Sequence, residues 1–173
     1  MTDRVRKLAR LSLLLALATG IHIAEAFLPV SALWFRLGFA NIIGLATLYL
    51  FGFKEALVVT LGRIFLGSVA AGLFASPAFI LSLCGGTLAI VAMGLAHRFG
   101  RNLFSEIGVS IIGAVFHNIG QLCAAYLILI RSEAILMLLP LMLLTATVTG
   151  FINGLAARFF IKQFRKVMGP GGI

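Results

Sequence analysis

One stretch limits what this chain can become: Gly108-Val-Ser-Ile-Ile-Gly-Ala-Val-Phe-His-Asn-Ile-Gly-Gln-Leu-Cys-Ala-Ala-Tyr-Leu-Ile-Leu-Ile130. Its 23 residues carry no formal charge when His117 is neutral. As a helix it is about 34 Å long, enough to cross the roughly 30 Å hydrocarbon core of a bilayer. Its middle nevertheless holds His117, Asn118 and Gln121, flanked by Gly113, Gly120 and Ala124. Against lipid, each of those polar groups would lack partners at a cost of about a few kcal/mol. They must face protein, water or a ligand.

Hydrophobic residues make up 61% of the chain and charged residues 11%. A soluble domain carries roughly half and a quarter. The expectation is one all-α integral membrane domain spanning 1–173. The apolar runs are continuous, which argues against the alternating pattern of a β-barrel. The net charge of +9 would point to nucleic acid in a soluble protein. Here the basic residues flank apolar runs, so membrane orientation accounts for them and no nucleic-acid partner is expected. Arg4, Arg6, Lys7 and Arg10 precede the first apolar run, but no small-residue cleavage site followed by a soluble domain marks a signal peptide. Cys84 and Cys123 lie inside apolar segments without CxxC spacing and read as small core residues.

Six segments can be marked, at about 8–28, 37–53, 55–74, 77–96, 108–130 and 134–160. Pro29, Gly52-Phe-Lys-Glu55, Ser76-Pro77, His97-Arg-Phe-Gly-Arg-Asn102 and Arg131-Ser-Glu133 supply the breaks. Six crossings put both termini on one side. With that side cytoplasmic, it collects Arg4, Arg6, Lys7, Arg10, Lys54, Arg98, Arg101, Arg158, Lys162, Arg165 and Lys166, against Arg36 and Arg131 outside. This asymmetry predicts a multi-pass protein of the cell membrane with both ends inside. The basic tail from Arg158 to Lys166 suits the anionic inner leaflet, and Gly169-Pro-Gly-Gly172 reads as a frayed end.

Several residues are candidates for a site. Ser12, Ala16, Gly20 and Ala24 recur every four positions on the first segment, a ladder that lets another helix approach closely. The ladder serves either packing within the bundle or docking of a separate membrane subunit. The same segment carries His22 and Glu25. The outer connection Phe27 to Phe35 is apolar, with Trp34 suited to the interface. Arg36 either snorkels to headgroups or joins a site with Asn41. Arg63 falls in the middle of the third segment, where an arginine costs at least about 2.5 kcal/mol. It either pairs with Glu25 or binds an anion, because its planar fork suits phosphate and carboxylate. On the fifth segment Ser110, His117 and Gln121 share a face, with Asn118 beside them. They either bond neighbouring helices or line a cavity, and three polar residues within five positions favour the cavity. His117 has no second ligand at metal spacing, so no metal is expected. The Gly85-Gly86 pair allows close packing or a kink. No Gly-Lys-Ser/Thr motif occurs, so any ATP is used by partner subunits. Thr145, Thr149 and Asn153 repeat every four residues, but threonines can bond back to their own helix.

Three stretches then resemble one family: Arg36-Leu-Gly-Phe-Ala-Asn-Ile42, Leu61-Gly-Arg-Ile-Phe-Leu-Gly67 and Gly108 to Gln121. The chain resembles, over most of its length, the small membrane proteins named heptaprenyl diphosphate synthase component I, also called the Gx transporter family. That family is in turn similar to the S components of energy-coupling factor transporters. The resemblance implies a six-helix protein that binds a solute from outside. It also implies docking on a transmembrane coupling subunit driven by ABC-type ATPases, and the face from Ser12 to Ala24 resembles the docking face. The enzyme name conflicts with the residues. Prenyl diphosphate synthesis needs clustered carboxylates for magnesium, and this chain has one aspartate, Asp3, and scattered Glu25, Glu55, Glu106 and Glu133.

The leading expectation is therefore a substrate-capture subunit using Arg63, His117, Asn118, Gln121, Asn41, Arg36 and Glu25. The alternatives are a non-catalytic subunit serving a soluble prenyltransferase, and a structural scaffold. Arg63 and Arg36 favour an anionic solute; the apolar outer loop and 15 phenylalanines favour an amphiphile or flat ring.

Overall fold

The computed structural model describes residues 3–27, 38–100 and 103–168. Among these residues six α-helices follow one another: α1 (Asp3–Ala26), α2 (Ala40–Phe51), α3 (Phe53–Ala70), α4 (Pro77–Phe99), α5 (Glu106–Ala124) and α6 (Leu139–Met168). A π-helical turn (Ala125–Ile130) extends α5, and a 3-10 turn (Glu133–Leu138) leads into α6. No strand occurs among the described residues. Pro29, Trp34, Arg36, Arg101 and the stretch Gly169 to Gly172 lie outside the described residues, as does most of the apolar connection from Phe27 to Phe35.

Local chemistry sets the boundaries. Ser76 Oγ accepts a hydrogen bond from the Phe79 amide at 3.3 Å, with Pro77 in the first turn of α4. Ser105 Oγ caps α5 at the Gly108 amide, 3.4 Å away. Between α2 and α3 only Gly52 is non-helical. Its φ of 101° lies where a side chain is strained, and its amide donates to Leu48 O at 3.2 Å. The sixth segment runs farther than expected. Phe164 stacks on Phe160 and meets Phe51 edge-on, so the basic tail continues α6 instead of leaving it. Asp3 is likewise helical and pairs with Arg6 at 3.9 Å.

Among the described residues, four spans are long and apolar enough to cross a membrane: Asp3–Ala26, Pro77–Phe99, Glu106–Ile130 and Glu133–Val167. The second and third segments differ from the sequence expectation. At 12 residues, α2 is about 18 Å long, too short to cross alone. The 18 residues of α3 include Lys54, Glu55 and Arg63. Exposed Leu17, Val58, Leu66, Leu144, Val148 and Phe159 give the bundle an apolar exterior that suits lipid and not water.

The short α2 is the centre of the bundle. It packs against α1, α3, α4, α5 and α6, and seven of its residues from Ile43 to Leu50 are buried. Leu45 and Leu48 join Ala56, Ala89, Ile90, Met93, Val109 and Ala157 in the main core. Glycine brings the outer helices close. A Cβ on Gly120 would sit 2.9 Å from Cys84 O, and one on Gly154 would sit 2.7 Å from Ile107 Cα. Helix α5 is thus clasped between α4 and α6 at backbone distance. Cys84 is half-buried and Cys123 is exposed on the outer surface, so only the first fits the expected packing role.

Candidate functional site

The polar residues of the bundle converge where α2 begins. Glu25, at the end of α1, is 6% exposed, and its Oε1 accepts a hydrogen bond from the Phe39 amide at 2.6 Å. This satisfies an amide that a helix start inside the bundle would leave without an intrahelical acceptor. Gly38, with φ of 70°, turns its carbonyl toward α6, where Asn153 Nδ2 donates to it at 3.2 Å. Arg63 on α3 is 3% exposed and donates from Nη2 to Asn41 Oδ1 at 2.6 Å. Side chains of α1, α3 and α6 therefore hold the first turn of α2.

Two adjoining pockets open around that turn. The first is lined by His22, Glu25, Gly38, Asn41, Arg63, Ile64, Ser82 and His117. The second shares Gly38, Asn41 and His117 and continues past Met93, Ser110, Asn118, Thr149 and Asn153. Together they draw on all six helices. Each leaves room for about one water molecule. His117 stands at their junction, 7% exposed, with its ring held where Gly85 leaves space: a Cβ there would lie 3.1 Å from His117 Cε1.

The expected residues separate into groups. Glu25, Asn41, Arg63, His117 and Asn118 all line these pockets. Asn118 also binds α6, donating from Nδ2 to Met142 O at 2.7 Å. Gln121 is buried but lies outside both pockets, with its Cγ at the α4–α5 crossing where a Gly85 Cβ would come within 2.8 Å. Its Oε1 has no hydrogen-bond partner among the described residues. Arg36 lies outside the described residues. Ser12, Ala16, Gly20 and Ala24 are all exposed, on the side of α1 opposite the buried Leu14, Ala18, His22 and Glu25. Nothing lies within 4 Å of a Cβ built on Gly20, so the ladder is not used for packing inside this bundle.

The pockets also contain residues outside the expected set: His22, Ser82, Ser110, Thr149 and Asn153. Ser110 shares the His117 face of α5, and Asn153 ends the four-residue spacing on α6, so both had a sequence signal. Thr145 and Thr149 do bond back, to Leu141 O at 3.0 Å and Thr145 O at 2.9 Å. His22 had no signal beyond lying near Glu25. Among the described residues, no three His, Cys, Asp or Glu side chains are placed to hold a metal ion together.

Chemically, the site offers one guanidinium, one carboxylate, two imidazoles, amides and hydroxyls within an apolar exterior. Such a set can hold a small polar or charged group by directional hydrogen bonds. The family described as heptaprenyl diphosphate synthase component I matches residues 14–160. No protein of curated function and no solved structure matches the chain.

Proposed function

The chain belongs to the heptaprenyl diphosphate synthase component I family, and from that premise we propose that it is a solute-binding membrane subunit similar to the S component of an energy-coupling factor importer. The observation that carries this reading is the convergence of Glu25, Asn41, Arg63, His117 and Asn118 on adjoining pockets. Buried ionisable groups in a membrane bundle are costly, and they persist where a solute or ion is handled. In this reading Arg63, His117 and Asn41 contact the solute, Glu25 and Asn118 hold the frame, and Arg36 and Gln121 complete the binding set. The solute is small and anionic or amphiphilic. With the chain in the cell membrane and both ends inside, the site faces outward. The exposed face Ser12, Ala16, Gly20 and Ala24 receives a transmembrane coupling subunit, and ABC-type ATPases supply the energy.

The family description supports a second reading: a non-catalytic membrane subunit of a heptaprenyl diphosphate synthase, working with a soluble prenyltransferase. Asp3, Glu25, Glu55, Glu106 and Glu133 sit near the ends of three helices and at the start of a 3-10 turn, which does not suit a magnesium–diphosphate site. The basic end of α6, with exposed Arg158, Lys162, Arg165 and Lys166, offers a surface to a soluble partner in that case.

Affinity purification of the tagged chain from its own membranes separates the two. Recovery of a membrane coupling subunit with ABC-type ATPases supports the importer reading. Recovery of a soluble prenyltransferase, with prenyl-chain synthesis stimulated by the chain, replaces it with the second. Recovery of neither, together with no bound small molecule, leaves a structural scaffold.

A further inference from the structure

We infer that an anion held at the Arg63 pocket brings one proton with it, carried on His117. The inference rests on the solute-binding reading above and names how that site is regulated. It starts from the formal charges in the pocket. Arg63 contributes +1 and Glu25 contributes −1, so the charges around Asn41, Ser82 and Ile64 already cancel. Both ionisable side chains are buried, at 3% and 6% exposure, so solvent screens them poorly. An added anion makes the pocket net negative in a membrane interior, where an uncompensated charge is expensive.

Only certain groups can restore the balance. Arg63 is protonated at all accessible pH and cannot gain charge. Glu25 accepts the Phe39 amide on Oε1 at 2.6 Å, a hydrogen bond that is stronger to the carboxylate than to the acid and so favours the charged form. Imidazole remains, and it gains its proton near neutral pH. His22 and His117 both line the pocket. His117 is the one that also borders the second pocket. Around it, α4 presents Ser82, α6 presents Thr149 and Asn153, and α2 presents Asn41, none of them charged. The charged and titratable groups facing it are Glu25 and His22 from α1 and Arg63 from α3. A proton on His117 therefore adds positive charge where the two pockets meet, in a lining that also holds the Glu25 carboxylate.

The test uses the full chain in detergent with sulfate, a probe that does not itself titrate near neutral pH and carries two negative charges, of which the His117 proton offsets one. Saturable binding is expected, tightening by up to tenfold for each unit that pH falls between about 8 and 6, as one linked proton requires. Calorimetry in buffers of different ionisation heat should count close to one proton taken up. In the wild-type protein, the His117 ring signals should move to protonated positions when sulfate is added, while those of His97 stay still. His117→Gln should bind more weakly and with no pH dependence, whereas His22→Gln should keep the dependence. Saturable binding that is independent of pH overturns the proton link and leaves the anion site standing. A dependence that persists in His117→Gln overturns the assignment to that residue. Absence of saturable sulfate binding at every pH overturns both this inference and the anionic reading of the solute.

Discussion

The Glu25 carboxylate accepts the Phe39 amide at 2.6 Å and thereby caps a helix that starts inside the bundle. This single contact links the end of α1 to the first turn of α2, 14 residues later. A buried charge-assisted hydrogen bond of this kind is worth about 1.5–3 kcal/mol, and more when its loss orphans a buried amide. Glu25→Ala should lower the thermal midpoint of the detergent-solubilised protein by several degrees. Glu25→Gln keeps an acceptor for Phe39 and should recover part of that loss. Equal midpoints for Glu25→Ala and wild type would remove the capping role.

The same glycine-to-alanine change should have opposite consequences at two positions. At Gly85 the new methyl group meets Gln121 Cγ at 2.8 Å and the His117 carbonyl at 2.9 Å. Backbone cannot rotate away, so α4 and α5 must separate, at a cost of about 1–3 kcal/mol or more. At Gly20 the methyl meets nothing within 4 Å. There alanine gains helix propensity, roughly 1 kcal/mol. Size-exclusion profiles and thermal midpoints of Gly85→Ala and Gly20→Ala compared side by side measure this directly.

Much of this was legible in the sequence because lipid imposes simple rules. His117, Asn118 and Asn41 announced themselves as polar groups in apolar runs, and Ser76-Pro77 announced a helix start. The short α2 was not legible. Its apolar run from 37 to 53 looks like a crossing, and only tertiary contacts reveal that neighbours surround it on every side. His22 was hidden for a related reason. Its ring needs the space that Gly67 leaves on α3, where a Cβ would lie 2.5 Å from His22 Cδ2. That pairing joins residues far apart in the chain, which a single sequence does not disclose. The ladder on α1 was ambiguous because small residues serve internal and external packing alike, and burial alone distinguishes them.

Arg63 both supports the fold and, in the proposed function, contacts the solute. Its bond to Asn41 Oδ1 at 2.6 Å means that Arg63→Ala disturbs α2 as well as any ligand. Arg63→Lys is the more discriminating change. It keeps one positive charge but loses the planar fork. If Arg63 holds an anion, Arg63→Lys should weaken sulfate binding by about tenfold or more while shifting the thermal midpoint far less than Arg63→Ala. A variant that loses stability and affinity in proportion would mark Arg63 as structural only.

The exposed ladder on α1 makes the partner question decidable without touching the pocket. Ser12, Ala16, Gly20 and Ala24 face away from the core, whereas Leu14, Ala18, His22 and Glu25 face into it. Small residues on a lipid-facing stripe gain nothing from lipid itself, since larger apolar side chains fit there equally well. They do permit a second helix to come within backbone contact. Ala16→Leu combined with Gly20→Leu adds bulk to that stripe alone. The double variant should insert, melt and bind sulfate as the wild type does, yet fail to co-purify with a membrane coupling subunit. Loss of the subunit with sulfate binding preserved would place docking and capture on opposite faces of α1. Retention of the subunit would move docking elsewhere on the bundle and leave the stripe without a role in assembly.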